Sequence, residues 1–139
     1  MACSRRVVLQ TIGVGCLASA CGGGGDGPPE GVATMCGGDL CISIAENAEL
    51  ANVGGGLLFL QARGHKIYVV RTASGFSSVS AICTHAQCVI EWNGTSVFDC
   101  PCHGSRFASD GTVMKGPAAR SLRIYTNTLV DDTLTIKLT

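Results

Sequence analysis

Two short boxes, each joining a cysteine to a histidine, constrain this chain more than any other feature: Cys83-Thr84-His85 and Cys100-Pro101-Cys102-His103. Mixed C-x-H and C-x-x-H boxes can direct two sulfurs to one metal and two ring nitrogens to another, provided the two loops lie side by side. The segment between them supplies the means. Val89 to Trp92 and Ser96 to Phe98 read as strands, and they flank Asn93-Gly94, the strongest short hairpin signal. A hairpin there returns the chain and brings the boxes together.

The rest of the chain reads as β. Ile42 and Ile44 alternate with Ser43 and Ala45, and Leu57 to Leu60 and Ile67 to Val70 are apolar runs rich in strand-forming residues. Phe76 to Ile82 alternates and delivers the chain into the first box. Asn47 to Leu50 can form a short helical turn, and a second hairpin is expected at Asp110-Gly111, between Phe107 and Val113. Leu122 to Tyr125 and Leu134 to Leu138 read as closing strands. With no amphipathic helix of useful length, the expected class is all-β and antiparallel.

The full loops are Cys83-Thr84-His85-Ala86-Gln87-Cys88 and Cys100-Pro101-Cys102-His103-Gly104-Ser105. In these motifs the chain resembles the Rieske iron–sulfur proteins, in particular the disulfide-bearing type of the cytochrome bc complexes. The resemblance runs from about Gly54 to the end. It implies an antiparallel β-sandwich with an inserted cluster-binding subdomain, at about 82–117. It further implies one [2Fe–2S] cluster, with Cys83 and Cys100 on the buried iron and His85 and His103 on the outer one. Cys88 and Cys102 would form a disulfide tying the loops together. Gly116-Pro117 matches the proline loop that covers the cluster in the family, although an ordinary turn would read the same way.

A cluster of this kind moves one electron. Neutral imidazoles in place of thiolates raise its potential into the range of about −150 to +300 mV, and surrounding residues tune it. Ser105 matches a family serine that hydrogen-bonds a bridging sulfide; a loop serine bonded to backbone is the plainer alternative. Phe107 stands where high-potential members carry a tyrosine that bonds a ligand sulfur, so a potential below the top of the range is expected. Ala86 and Gln87 depart from the bulky-residue-then-glycine pattern of the bc-complex proteins, which speaks against docking at the same quinol site.

Zinc is the competing metal, because two cysteines and two histidines also suit a tetrahedral site. Zinc ligands usually come as C-x₂₋₄-C and H-x₃₋₅-H, however, and zinc gives no reason for Cys88 and Cys102. No catalytic constellation accompanies the boxes. His65, the remaining histidine, sits beside Lys66 before a strand, where a surface role is expected.

The chain has 139 residues, 46% hydrophobic, which bounds it to one small domain and a leader. Formal charge is zero, so nothing points to nucleic acid. Nine cysteines point to an oxidising compartment, to metal, or to both. Residues 1–20 read as an export signal with a twin-arginine motif at Ser4-Arg5-Arg6-Val7. An ordinary Sec signal is the alternative. Leu17-Ala18-Ser19-Ala20-Cys21 resembles a lipoprotein processing box, making Cys21 a candidate lipid anchor, with 21–35 as a flexible tether. Simple cleavage near Ala20 is the alternative. Cys36 and Cys41 are a candidate local disulfide in the domain spanning 36–139.

These features predict an electron carrier in a bacterial cell envelope, on the periplasmic side, held to the membrane by a lipid tether. Its partners would be a cytochrome c-like protein or a membrane oxidoreductase. The alternative is a small subunit of a larger quinol- or substrate-oxidising complex, arsenite-oxidase-like or bc-like.

Overall fold

The computed structural model describes residues 27–139; the export signal, Cys21 and the first part of the tether lie outside the described residues. Eleven strands account for the regular structure, in chain order β1 Thr34–Cys36, β2 Asp39–Ser43, β3 Gly56–Ala62, β4 His65–Thr72, β5 Gly75–Ser80, β6 Glu91–Trp92, β7 Val97–Asp99, β8 Arg106–Ala108, β9 Val113–Lys115, β10 Asn127–Val130 and β11 Thr133–Ile136. The helical turn read at Asn47 is one 3-10 turn, Ala48–Ala51. All strand pairs are antiparallel, in three sheets ordered β1-β2-β11-β10, β3-β4-β5 and β6-β7-β8-β9.

The apolar runs explain the layering. A strand covered on both faces has no solvent side to mark with polar residues, so it reads as a run rather than an alternation. β3 and β4 are such strands. Leu57, Phe59, Ile67 and Val69 face one core, shared with Leu40, Ile42, Leu134 and Ile136 of the first sheet. Leu58, Tyr68 and Val70 face a second core, shared with Ile90, Phe98 and Phe107 of the β6–β9 region. The β3-β4-β5 sheet is therefore the middle layer.

The β6–β9 sheet is an insertion. The chain leaves β5 and comes back beside it: the Ser80 N–H donates to the Arg123 carbonyl at 2.7 Å, and the Tyr125 N–H to the Ser78 carbonyl at 2.8 Å. The returning segment, read as a strand at Leu122 to Tyr125, makes only one bridge, Ile124 with Val79. Its buried residues, Leu122 and Tyr125, are three apart, a spacing that regular period-two strand geometry does not allow. Trp92 seats the insertion on the middle sheet. Its indole N–H donates to the Gly54 carbonyl at 2.7 Å, and a Cβ on Gly56 would stand 2.8 Å from its ring.

The segment before residue 36, read as tether, is joined to the domain in its described part. The Leu58 N–H donates to the Pro29 carbonyl, and the Gly31 N–H to the Leu58 carbonyl, each at 2.8 Å. The buried Asn47 amide holds Val32 from both sides: Oδ1 accepts its N–H and Nδ2 donates to its carbonyl, both at 2.8 Å. An unbroken hydrogen-bond record at a buried amide is what its burial demands.

Candidate metal centre

The two cysteine–histidine loops share one backbone plan. In the first, the Cys83 N–H donates to the Cys88 carbonyl and the Gln87 N–H to the Cys83 carbonyl, at 2.8 and 3.1 Å. In the second, the Cys100 N–H donates to the Ser105 carbonyl and the Gly104 N–H to the Cys100 carbonyl, at 2.8 and 3.0 Å. The hairpin between them, β6 paired to β7, sets the loops side by side. Its turn spans four residues, because the Asn93 side-chain oxygen accepts the N–H groups of Thr95, Ser96 and Val97 at 3.0 to 3.1 Å. A disulfide from Cys88 to Cys102, with Cα atoms 6.4 Å apart, ties one loop to the other. A second, from Cys36 to Cys41, closes the β1–β2 hairpin.

Within this frame the four side chains divide into two pairs. Cys83 and Cys100 are 1% and 2% exposed and belong to one buried cluster. His85 and His103 are exposed, their rings edge to face with centroids 4.9 Å apart. Burial pushes the Cys83 thiol up. Hydrogen bonds from backbone N–H groups of His85 and Ala86, and from the Cys100 and Ser105 side chains, outweigh burial and leave it below its ordinary value. Burial and the Cys83 sulfur raise Cys100. Forming both thiolates sets two negative charges side by side in the core, a cost that a metal cation removes.

A third loop closes over the pair. Ser105 is fully buried, and its Oγ accepts the Ala118 N–H at 2.9 Å. With that acceptor role filled, its hydroxyl proton is left to donate elsewhere, and Ser105 is among the groups that lower the Cys83 thiol. Gly116-Pro117, a cis peptide, immediately precedes Ala118. The Thr84 hydroxyl donates to the Arg120 carbonyl at 2.6 Å, holding the same loop from the other side. Phe107 is buried in the core that also contains Cys83 and Cys100.

The donor set fits a two-metal group better than a single ion. Among the described residues, no three His, Cys, Asp or Glu side chains gather around one point. Two sulfurs inside and two imidazoles outside suit a group with thiolates at one end and imidazoles at the other.

Comparison with known proteins identifies the family. Residues 41–126 match the Rieske [2Fe-2S] domain. The chain belongs to the Rieske [2Fe-2S] family. Its cofactor is one [2Fe–2S] cluster, and electron transfer is the chemistry of the domain. The Rieske chain is 41% identical over 73 residues to the cytochrome b6-f complex iron-sulfur subunit of a Synechococcus strain, covering 50% of this chain and 42% of that protein. It is 35% identical over 115 residues to the same subunit of Synechococcus elongatus, covering 78% and 62%. It spans about half the length of the curated relatives it matches.

Among solved structures, the cyanobacterial plasma membrane Rieske protein of Synechocystis PCC 6803 is 35% identical, with a TM-score of 0.51 over 54% of this chain and 79% of that one. A chain of a hyperthermophilic respiratory Complex III shares the fold, at 24% identity and a TM-score of 0.53 over 62% of this chain and 69% of that one.

Two features were not read from the sequence, one at the site and one away from it. One is the pair of bonds that fasten the 116–121 loop, through Thr84 and Ser105; only the hydroxyls themselves signalled them. The other is His65. It is half-buried, with Nδ1 3.0 Å from the Tyr125 hydroxyl and the two rings edge to face.

Proposed function

We propose that Cys83 and Cys100 hold the inner iron of the cluster and His85 and His103 the outer one, and that this protein is an exported one-electron carrier of a bacterial cell envelope. The observation that carries the reading is the division of the four donors into a buried sulfur pair and an exposed imidazole pair. When bound, the cluster supplies a single reversible electron at a potential set by its surroundings.

The chain's own residues do the rest. The backbone N–H groups of His85 and Ala86 stabilise a thiolate at Cys83. The Ser105 hydroxyl, with its oxygen already accepting from Ala118, offers its proton toward the sulfur side of the site. The second core excludes water from the two sulfurs, while the two imidazoles face solvent, so electrons enter and leave past His85 and His103. The partner in this reading is a cytochrome c-like protein or a membrane oxidoreductase, met on the periplasmic side. Cys21 would carry the lipid that holds the domain at the membrane. Among the described residues, no helix is long and apolar enough to cross it.

Electron paramagnetic resonance of the reduced protein tests the ligand set. A [2Fe–2S] signal that is lost in Cys83→Ala, and altered in His85→Cys, is expected. A zinc content of one per chain, with no signal, would sink the reading. Mass spectrometry of the mature N-terminus tests the anchor, where an unmodified peptide refutes acylation of Cys21. The relatives named as cytochrome b6-f subunits favour a second reading, in which the protein is a small subunit of a larger oxidising complex. Co-purification with a large catalytic partner would support it.

A further inference from the structure

The charges around the exposed imidazoles are one-sided. The three segments that form the rim are 82–90, 100–105 and 114–121, and none carries an Asp or Glu. The third carries Lys115 and Arg120, both exposed. Arg120 is placed beside the first loop by the bond from the Thr84 hydroxyl to its carbonyl. Lys115 lies beside the second: it pairs across β9 with Arg106 of β8, which begins directly after Ser105.

The row of residues across the inserted sheet shows the same polarity. Glu91 pairs with Asp99, Asp99 with Arg106, and Arg106 with Lys115. Asp99 and Arg106 neutralise each other through a 2.7 Å ion pair. That leaves one exposed carboxylate, Glu91, at the β6 edge and one exposed cation, Lys115, on β9, with Arg120 in the segment that follows. Asp110 lies in the β8–β9 turn, and other carboxylates lie on the far sheet. Asp131 and Asp132 turn β10 into β11 on the far sheet, where Asp132 bonds to Ser43 and Ala45, close to Glu46. With the leader removed, residues 21–139 carry eight Lys and Arg against ten Asp and Glu, and of these Lys115 and Arg120 lie in the segment that closes over the site while Asp131 and Asp132 lie on the far sheet.

We infer that Lys115 and Arg120 form the docking flank for an acidic redox protein, one that carries carboxylates around its own electron-transfer group. This rests on the reading that electrons pass at His85 and His103. Two cations beside an exposed exit concentrate an anionic partner there and orient it, an effect that acts on encounter rate and fades with salt. Glu91 at the opposite edge disfavours the reversed orientation, as a like charge should.

The test uses the cluster-loaded protein and two probes. In stopped flow, the reduced protein gives one electron to hexacyanoferrate(III), which becomes hexacyanoferrate(II), or to tris(phenanthroline)cobalt(III), which becomes the cobalt(II) complex. The rate with the anion should fall roughly tenfold between about 0.01 M and about 0.3 M ionic strength, while the rate with the cation does not fall. Lys115→Glu with Arg120→Glu should remove the anion's advantage at low salt. Midpoint potentials measured on the same variants separate field from driving force.

The second readout needs no turnover. Carbodiimide coupling of a short polyglutamate peptide should label Lys115 in preference to Lys66, and salt should abolish the preference. Rates independent of salt, or equal labelling of Lys115 and Lys66, overturn the inference. A protein with no [2Fe–2S] resonance signal would overturn the ligand assignment instead, so the two failures are distinguishable.

Discussion

Gln87 and Gly104 occupy the same place in two loops of one design. Each donates its N–H to the carbonyl of the cysteine four residues earlier, and each has a positive φ, 58° for Gln87 and 76° for Gly104. The second loop puts a glycine where the backbone is left-handed; the first puts an exposed glutamine there. Gln87→Gly should therefore stabilise the protein, by about 0.5–1 kcal/mol after the added chain entropy of glycine is offset. Gly104→Ala should destabilise it by about 1 kcal/mol, through the backbone alone, since a Cβ there meets nothing within 4 Å. Chemical denaturation of the two variants checks both signs.

Ser105 serves two neighbours at once, the Ala118 N–H and the sulfur side of the site. Ser105→Ala removes both. Its midpoint potential should drop, because the reduced state loses a hydrogen bond to its extra negative charge. Its stability should fall by about 1–3 kcal/mol, because the Ala118 N–H is left buried without an acceptor. Voltammetry and denaturation of one variant measure the two effects. An unchanged potential with lowered stability would reduce Ser105 to a loop fastener.

Phe107 is fully buried in the core shared with Cys83 and Cys100. Phe107→Tyr places a hydroxyl in that core, where a sulfur is the acceptor that its burial calls for. The midpoint should rise. If it stays put or falls, and stability drops by about 1–3 kcal/mol, the hydroxyl has found no partner.

The Cys88–Cys102 bridge closes a loop with a sequence separation of 14. For a loop of that size, the chain-entropy model assigns about 3 kcal/mol. Cys88→Ala with Cys102→Ala should lose stability on that scale. It should also lose its [2Fe–2S] absorbance faster in the presence of a chelator, since the two loops are then joined only by the hairpin and by their bonds to the 116–121 loop.

Asn47 fastens the N-terminal stub to the domain through Val32, and its Nδ2 also donates to the Ser43 carbonyl at 2.8 Å. Asn47→Ala should cost about 1–3 kcal/mol and speed hydrogen exchange at the Val32 amide. Unchanged exchange there would mean that the backbone bonds to Leu58 suffice.

Much of this protein was determined by local sequence. The two cysteine–histidine boxes and the Asn93-Gly94 turn between them specify a pair of adjacent loops, because a hairpin is a short-range structure whose turn residues carry its geometry. The unbroken runs at Leu57 and Ile67 specify strands covered on both faces. Tertiary structure alone decided the rest. Leu122 to Tyr125 reads as a strand, but it must rejoin β5 where the insertion closes, and that docking leaves it one bridge. Residues 29–32 look like linker by composition, yet Leu58 and Asn47 capture them. His65 has polar neighbours in sequence and Tyr125 as a neighbour in space. In each case the deciding partner lies far along the chain, and a hydrogen bond between distant segments leaves no periodic trace in either.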